Sequence, residues 1–410
     1  MTRLELFIGK GGVGKTTLAC VTAMSYARAG QRVLIASMDQ AHSLGDALGF
    51  RFPHDPGTVA GITTVAPGLD VIEIDSLALL EDRFRDAVRM LAGRGHEHGI
   101  DLAALDPAEL TGLPGVQELL MLIEIADFAD EDDWDVIVVD CPPSADLLRI
   151  VTAPDTLLGY LDRIWPAHTR ALSVAGPDLR RVVLATAVER IAAAVRSVRD
   201  LLADHERTGA RLITGPERVA VAESARMRSA AALLGLRLDG IVVNKVLPAV
   251  AESEADHPAA RWYLERRAEQ LDVIADLRRR LPGVPVTIAP HSGPEPVGTA
   301  ALQTLARLVD SRANRVVPEA DPMLGGAPSV RLESGAGLQS VFTLRMPLPV
   351  VDPATLRLGR VEDDLIVGAD GVRRRLPLAP VLRRCTVEGA ELDGEQLVVR
   401  FRPDPEVWPR

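Results

Sequence analysis

Nine residues near the amino terminus, Gly9-Lys10-Gly11-Gly12-Val13-Gly14-Lys15-Thr16-Thr17, carry the densest chemistry in the chain. Glycines at this spacing let successive backbone N–H groups turn inward around phosphate oxygens. Lys15 follows the last glycine, where its ammonium reaches β- and γ-phosphates, and the Thr16 hydroxyl is suited to Mg²⁺. The spacing is G-x-x-x-x-G-K-[ST], and all nine residues are expected nucleotide contacts. A strand precedes the loop and a helix follows it, so the positive end of the helix faces the phosphates.

Lysine use sharpens this expectation. Lysine occurs only at Lys10, Lys15 and Lys245, and arginine supplies every other basic side chain. Where charge alone suffices the chain uses Arg, so two positions of one loop require a compact ammonium. A second lysine as early as Lys10 cannot easily reach the nucleotide held by its own loop. A solvated loop lysine is the competing reading.

Two carboxylates complete the candidate set. Asp39 follows the second predicted strand and can orient a water for attack on a γ-phosphate; the same position also suits a helix cap. Asp140 ends the apolar run WDVIVVD, where a carboxylate can serve Mg²⁺ through water. Cys141 reads as a small buried filler in preference to a nucleophile. His96 and His98 flank Glu97, which suits either a metal or a solvated loop. Residues 130–135 read as a solvated acidic turn, and Arg373 to Arg375 as surface.

The elements that must position these groups follow from pattern. Residues 4–8, 32–37, 71–74, 134–140, 212–213, 240–244 and 284–288 read as strands, and 16–29 as the helix after the loop. Strands alternating with helices predict an α/β fold with a mostly parallel sheet covered on both faces. Two stretches, about 76–130 and 147–206, exceed what a crossover needs and are expected to be helical insertions. Residues 321–329 form a Pro/Gly linker. Beyond it, short strands alternate with turns, and Asp370-Gly371 and Asp393-Gly394 are hairpin signals. The expected division is 1–315, a linker at 316–328, and a small all-β domain at 329–410.

Bulk properties exclude several classes. A net charge of −11 leaves no basic face for nucleic acid. No run of about 18 apolar residues suggests a membrane anchor, and the start lacks the features of a signal peptide. The cysteines, Cys20, Cys141 and Cys385, are odd in number and far apart, which predicts neither a disulfide framework nor a zinc pair. A reduced, cytoplasmic setting is the simplest expectation.

Four segments together resemble the ArsA / guided-entry (tail-anchored protein targeting) ATPase family. GKGGVGKTT at 9–17 resembles its P-loop. DQAHSLGDAL at 39–48 resembles its switch I, with Gln40 in place of the usual proline. DCPPSADLLRI at 140–150 resembles its switch II, with Asp146 where the eukaryotic targeting ATPases have histidine. In VVNKVLP at 242–248, Asn244 matches the family's adenine-contacting asparagine. Glu217, in TGPERVAVAE, matches a nucleotide-contacting glutamate; Pro290 is counted with these contacts. Pro114 to Glu118 resembles a further family segment. The resemblance covers roughly 1–310 and implies a P-loop NTPase fold. The β module resembles the α-crystallin-like sandwich domain fused to many bacterial members.

A second loop lysine marks the deviant subclass of P-loops, in which it crosses to the partner's phosphates. The resemblance therefore implies an ATP- and Mg²⁺-dependent homodimer, with Lys10 neutralising transition-state charge in trans as an arginine finger does. The zinc-binding C-x-x-C of eukaryotic targeting members is absent here, so zinc is not expected. The arsenite pumps' cysteine triad and second ATPase half are also missing from the sequence.

The leading expectation is an ATPase whose closing and opening controls a hydrophobic client, such as a membrane-protein segment held by the helical insertions. Those helices could equally pack only on each other. An arsenite-pump subunit predicts faster hydrolysis with arsenite. A partitioning or positioning ATPase needs a basic face or a terminal amphipathic helix, and the sequence offers neither. A holdase-like chaperone with structural ATP places the work in the β module.

Overall fold

Short apolar runs form the expected strands, and their pairing decides where the loop residues meet. The computed structural model describes residues 1–39, 43–52, 61–92, 116–175, 178–250, 257–281, 283–310, 315–316, 328–349 and 352–408. Gln40, His96, Glu97, His98, Pro114, Gly115 and residues 321–327 of the linker lie outside the described residues. The chain divides into two units, Met1–Thr208 with Ser292–Asn314, and Gly209–His291 with Arg315–Arg410.

In the first unit β1 (Arg3–Gly9), β2 (Val33–Ser37), β3 (Thr63–Ala66), β4 (Leu69–Glu73) and β5 (Val136–Asp140) lie in the order β3-β4-β2-β5-β1. All neighbours are parallel except β3, which pairs antiparallel at the edge. Every residue of β2 and β5 is buried. That is why they read as continuous hydrophobic runs without alternation. The antiparallel edge strand β3 is not legible from the sequence: its TTVA is short and mostly half-exposed.

Parallel pairing brings the carboxyl ends of the strands to one edge. Phe7 of β1 lies opposite Asp140 of β5, Asp140 lies opposite Ser37 of β2, and Ser37 lies opposite Glu73 of β4. The helices of this unit begin at that edge with α1 (Lys15–Arg28) and α2 (Ser43–Leu48). A later helix, α10 (Thr299–Asp310), covers α1, where Ser25 donates a hydrogen bond to Asp310 at 2.7 Å.

The stretches expected as insertions are helical where described. They comprise α3 (Ser76–Ala92), α4 (Val116–Glu131), α5 (Ser144–Ile164), α6 (Ala167–Val174) and α7 (Leu179–Ala203). Leu119, Leu158, Ala192 and Val195 form a small core joining α4, α5 and α7. Short α6 is fastened by Arg170, which is 1% exposed. Its guanidinium donates to Asp162 at 3.0 Å, to Glu189 at 2.6 Å and to the Trp165 carbonyl. The Arg170 hydrogen bond holds Glu189 below the usual carboxylate range, with Arg196 adding to it.

The second unit contains β6 (Thr208–Thr214), β7 (Leu238–Val246), β8 (Val286–Pro290) and the two-residue β9 (Arg315–Val316), in that order. Its helices are α8 (Arg218–Leu234) and α9 (Pro258–Arg280). The carboxy-terminal part is all β apart from short turns of helix. β10 (Ser329–Ser334), β11 (Val341–Pro347), β15 (Cys385–Asp393) and β16 (Gln396–Pro403) form an antiparallel sheet ordered β10-β11-β16-β15. β12 (Arg357–Val361), β13 (Asp364–Ala369) and β14 (Val372–Pro377) form a second. Both hairpin signals lie at hairpins: Asp370-Gly371 joins β13 to β14, with φ of 49° and 85°, and Asp393 ends β15, so that Gly394-Glu395 makes the turn to β16. β15 itself is not legible from composition, because most of its residues are exposed.

The β part and α8 share a core. Leu233 is fully buried among Leu344, Leu365, Val367, Leu397 and Phe401. Arg228, 5% exposed, makes a two-pronged pair with Glu395 at 2.7 and 2.6 Å, and Ser229 donates to Asp370 at 2.7 Å. Arg374 donates to the Leu233 carbonyl at 2.9 Å, capping the negative end of α8. The surface expectation for Arg373 to Arg375 is therefore corrected. Arg374 and Arg375 are half-buried, because one caps a helix and the other pairs with Asp364. Truncating Leu233→Ala is expected to lower stability by about 3 kcal/mol, and Glu395→Ala by about 1 kcal/mol. Denaturant titration of the full-length chain measures both.

Candidate active site

The site in the first unit is built where β1, β5 and β2 end. The chain leaves β1 at Gly9 and enters α1 at Lys15, and the intervening turn needs left-handed backbone. Gly12 has φ 80° and Gly14, the residue before α1, has φ 91°. A side chain at either would be strained. A Cβ added at Gly11 or Gly12 would meet nothing within 4 Å, so the loop borders open space. Gly9 is buried, while Lys10, Gly11 and Gly12 are exposed and Val13 and Thr17 are half-buried. The Lys15 ammonium, 9% exposed, donates to the Lys10 carbonyl at 3.1 Å.

Four oxygen-bearing side chains meet beside this loop. Thr16 Oγ1 donates to Asp140 Oδ2 at 2.6 Å and lies 3.0 Å from Ser43 Oγ; Ser43 Oγ lies 3.1 Å from Asp39 Oδ2. Those three contacts have only two hydroxyl protons to bridge them. The strands set the geometry: Cys141 N–H donates to the Phe7 carbonyl and Met38 N–H to the Asp140 carbonyl, so β5 ends held between β1 and β2. The Asp39 N–H donates to Ser37 Oγ at 3.2 Å, turning the chain out of β2.

Asp140 is fully buried, and its Oδ1 has no hydrogen-bond partner among the described residues. Burial pushes its carboxyl up to about 6; the Thr16 hydrogen bond and the Lys15 ammonium oppose this, and Asp39 adds to it. A desolvated carboxylate with an orphan oxygen, beside a second carboxylate and two hydroxyls, is the hard-oxygen environment that Mg²⁺ prefers. The residues present therefore fit the cation. No group of three or more His, Cys, Asp or Glu side chains gathers for a metal among the described residues. Burial also raises the thiols of Cys20 and Cys141, which suits fillers and not nucleophiles.

Lys10, Lys15, Thr16, Asp39 and Asp140 thus belong to one region of the first unit. The other predicted contacts, Glu217, Asn244 and Pro290, belong to the second unit. Glu217 stands immediately before α8 in extended conformation. Asn244, 6% exposed, lies at a register shift between β7 and β8, where its Oδ1 accepts the Lys245 N–H at 2.9 Å. Lys245 adopts a left-handed φ of 61°. Pro290 ends β8. The residue missed in sequence was Ser43. The available signal was a hydroxyl four positions after Asp39, at the start of a short helix.

Comparison with known proteins shows the family. Residues 2–311 match the family model described as anion-transporting ATPase, ArsA type, and residues 339–401 match the HSP20-like domain found in ArsA. A Mycobacterium tuberculosis protein, Rv2184c, is 46% identical over 99% of this chain and 97% of its own length. An Aquifex aeolicus protein, provisionally described as arsenical pump-driving ATPase 1, is 26% identical over 97% of this chain and 99% of its own length. The ATPase GET3 of Candida glabrata is 28% identical over 66% of this chain and 81% of its own length. The chain belongs to the ArsA ATPase family, with an ArsA-type HSP20-like domain at its carboxyl end.

Proposed function

We propose that the chain is a Mg²⁺-dependent ATPase that works as a homodimer and couples ATP hydrolysis to the binding of a hydrophobic polypeptide. The observation that carries this is the Thr16–Ser43–Asp39–Asp140 oxygen cluster beside the glycine loop. The loop N–H groups and Lys15 bind the β- and γ-phosphates. Glu217, Asn244 and Pro290 contact the nucleoside. Thr16 would hold Mg²⁺ directly, and Asp140 would hold it through water. When bound, the cation neutralises charge on the triphosphate. Asp39 accepts a proton from, and orients, the attacking water. Lys10, exposed at the rim of the loop, reaches the triphosphate of the second copy and stabilises transition-state charge there. The proposed working parts are the ATPase at 1–315, the linker at 316–328 and the β domain at 329–410.

In this reading the helical insertion offers the client surface. Leu157, Tyr160 and Ile164 follow i, i+3, i+7 spacing on α5 and are all exposed, Ile164 to 81%. Leu172 of α6 is 72% exposed, and Leu184 and Ile191 stand seven apart on α7, also exposed. Apolar side chains in such number, on helices that also share a small buried core, suit a partner that is itself apolar. No described helix is long and apolar enough to cross a membrane. The buried positions of all three cysteines favour this reading over a metalloid pump.

Two outcomes are expected. Asp39→Asn lowers ATP turnover by about 100-fold. Mass determination with ATP then finds dimers that persist in the variant and dissociate in the wild type; a variant that stays monomeric contradicts the cycle. A hydrophobic helical peptide carrying a photo-crosslinker attaches to α5–α7 in an ATP-dependent manner, and Ile164→Asp with Leu172→Asp removes the adduct. Absence of any ATP-dependent adduct contradicts the client reading.

A further inference from the structure

We infer that Glu73, which belongs to none of the nucleotide contacts, is the positioning residue that holds Ser43, and through it Asp39, in its reactive place. The inference rests on the role proposed for Asp39.

Glu73 ends β4 and is 3% exposed. Its Oε1 accepts the Gly45 N–H at 2.8 Å across 28 residues of sequence. Gly45 lies in the first turn of α2, whose leading N–H groups find no carbonyl within their own helix. A carboxylate there satisfies one of them and complements the positive end of the helix, in a charge-assisted bond stronger than a neutral one.

A Cβ added at Gly45 would come to 2.8 Å from the Phe50 carbonyl oxygen, so the turn after α2 requires glycine there, while its 3.5 Å approach to Glu73 Oε1 would be ordinary contact. The same two strands hold Asp39. Ser37 lies opposite Glu73, its Oγ accepts the Asp39 N–H, and its carbonyl accepts the Ile74 N–H at 3.2 Å. Asp39 and Ser43 are thus braced from both sides by the β2–β4 pair, and Ser43 carries that placement to Thr16 at 3.0 Å. Burying a carboxylate at the end of a covered sheet is costly, and an apolar side chain would pack there without that cost. A buried acceptor at this place serves the backbone donor it fixes.

The test compares Glu73→Asp and Glu73→Gln in the full-length chain. The Asp variant keeps the charge and withdraws the oxygen by one methylene; the Gln variant keeps the reach and removes the charge. Expected for Glu73→Asp is a kcat lower by roughly tenfold or more, with the KM for ATP and the thermal midpoint little changed. Glu73→Gln is expected to keep most of the turnover. Wild-type kcat in Glu73→Asp, an equal loss in both variants, or a fall in kcat matched by loss of ATP affinity would each overturn the inference. If the Asp variant does not fold, hydrogen exchange at the Gly45 amide decides: protection in wild type and in Glu73→Gln supports the bond, and rapid exchange in wild type refutes it. Asp39→Asn is assayed in parallel. Full turnover in that variant sinks the Asp39 reading itself, whereas an inactive Asp39→Asn beside a normal Glu73→Asp sinks only the role of Glu73.

Discussion

At the end of β5 a carboxylate, Asp140, has lost nearly all its water, and one of its oxygens has no protein partner. Such a group is destabilising unless positive charge or hydrogen bonds replace the lost solvent. Around it stand a threonine hydroxyl at 2.6 Å, a lysine ammonium one position earlier on the same helix, and open space beside the glycine loop. The order β2-β5-β1 makes this convergence unavoidable. Three parallel strands end at one edge, and each releases its chain into a segment that carries part of the chemistry. Place β5 elsewhere in the order and neither Thr16 nor Asp39 could reach its neighbours.

The rest of the first unit serves that edge or extends from it. β4 lies one strand farther out and contributes Glu73, which grips α2 from below. Gly298, just before α10, donates its N–H to the Ala47 carbonyl at 2.9 Å, so α2 is held at its far end too. The helices from α3 to α7 hold together through a small core and the buried Arg170, leaving large apolar side chains outside. In the second unit, α8 belongs to two environments. It begins beside Glu217, and its last turn is embedded in the β part through Leu233, Arg228 and Arg374. The HSP20-like domain is therefore fastened to a helix of the ATPase and is not merely appended by the linker.

Sequence made local chemistry legible and long-range closure much less so. The glycine loop could be read because spacing alone defines it, and β5 because burial on both faces leaves an uninterrupted apolar run. Asp370-Gly371 announced its hairpin because a turn with positive φ at both positions selects those residues. By contrast, β3 and β15 are edge strands whose half-exposed faces carry Thr, Glu and Gly in place of a clear alternation. The bonds from Glu73 to Gly45 and from Arg228 to Glu395 span 28 and 167 residues, and no pattern within either segment announces them. Arg374 reads as surface by composition and is a helix cap only because α8 ends beside it.

In the proposed cycle two ammonium groups, one from each of two identical chains, meet one triphosphate. Its most direct test is Lys10→Arg, with ATP turnover and ATP-dependent pairing measured on the same preparation. A planar guanidinium keeps the charge but not the compact point donor. Loss of both turnover and pairing, with ATP affinity for the isolated chain preserved, is the predicted result. Turnover and pairing equal to wild type would contradict the shared site.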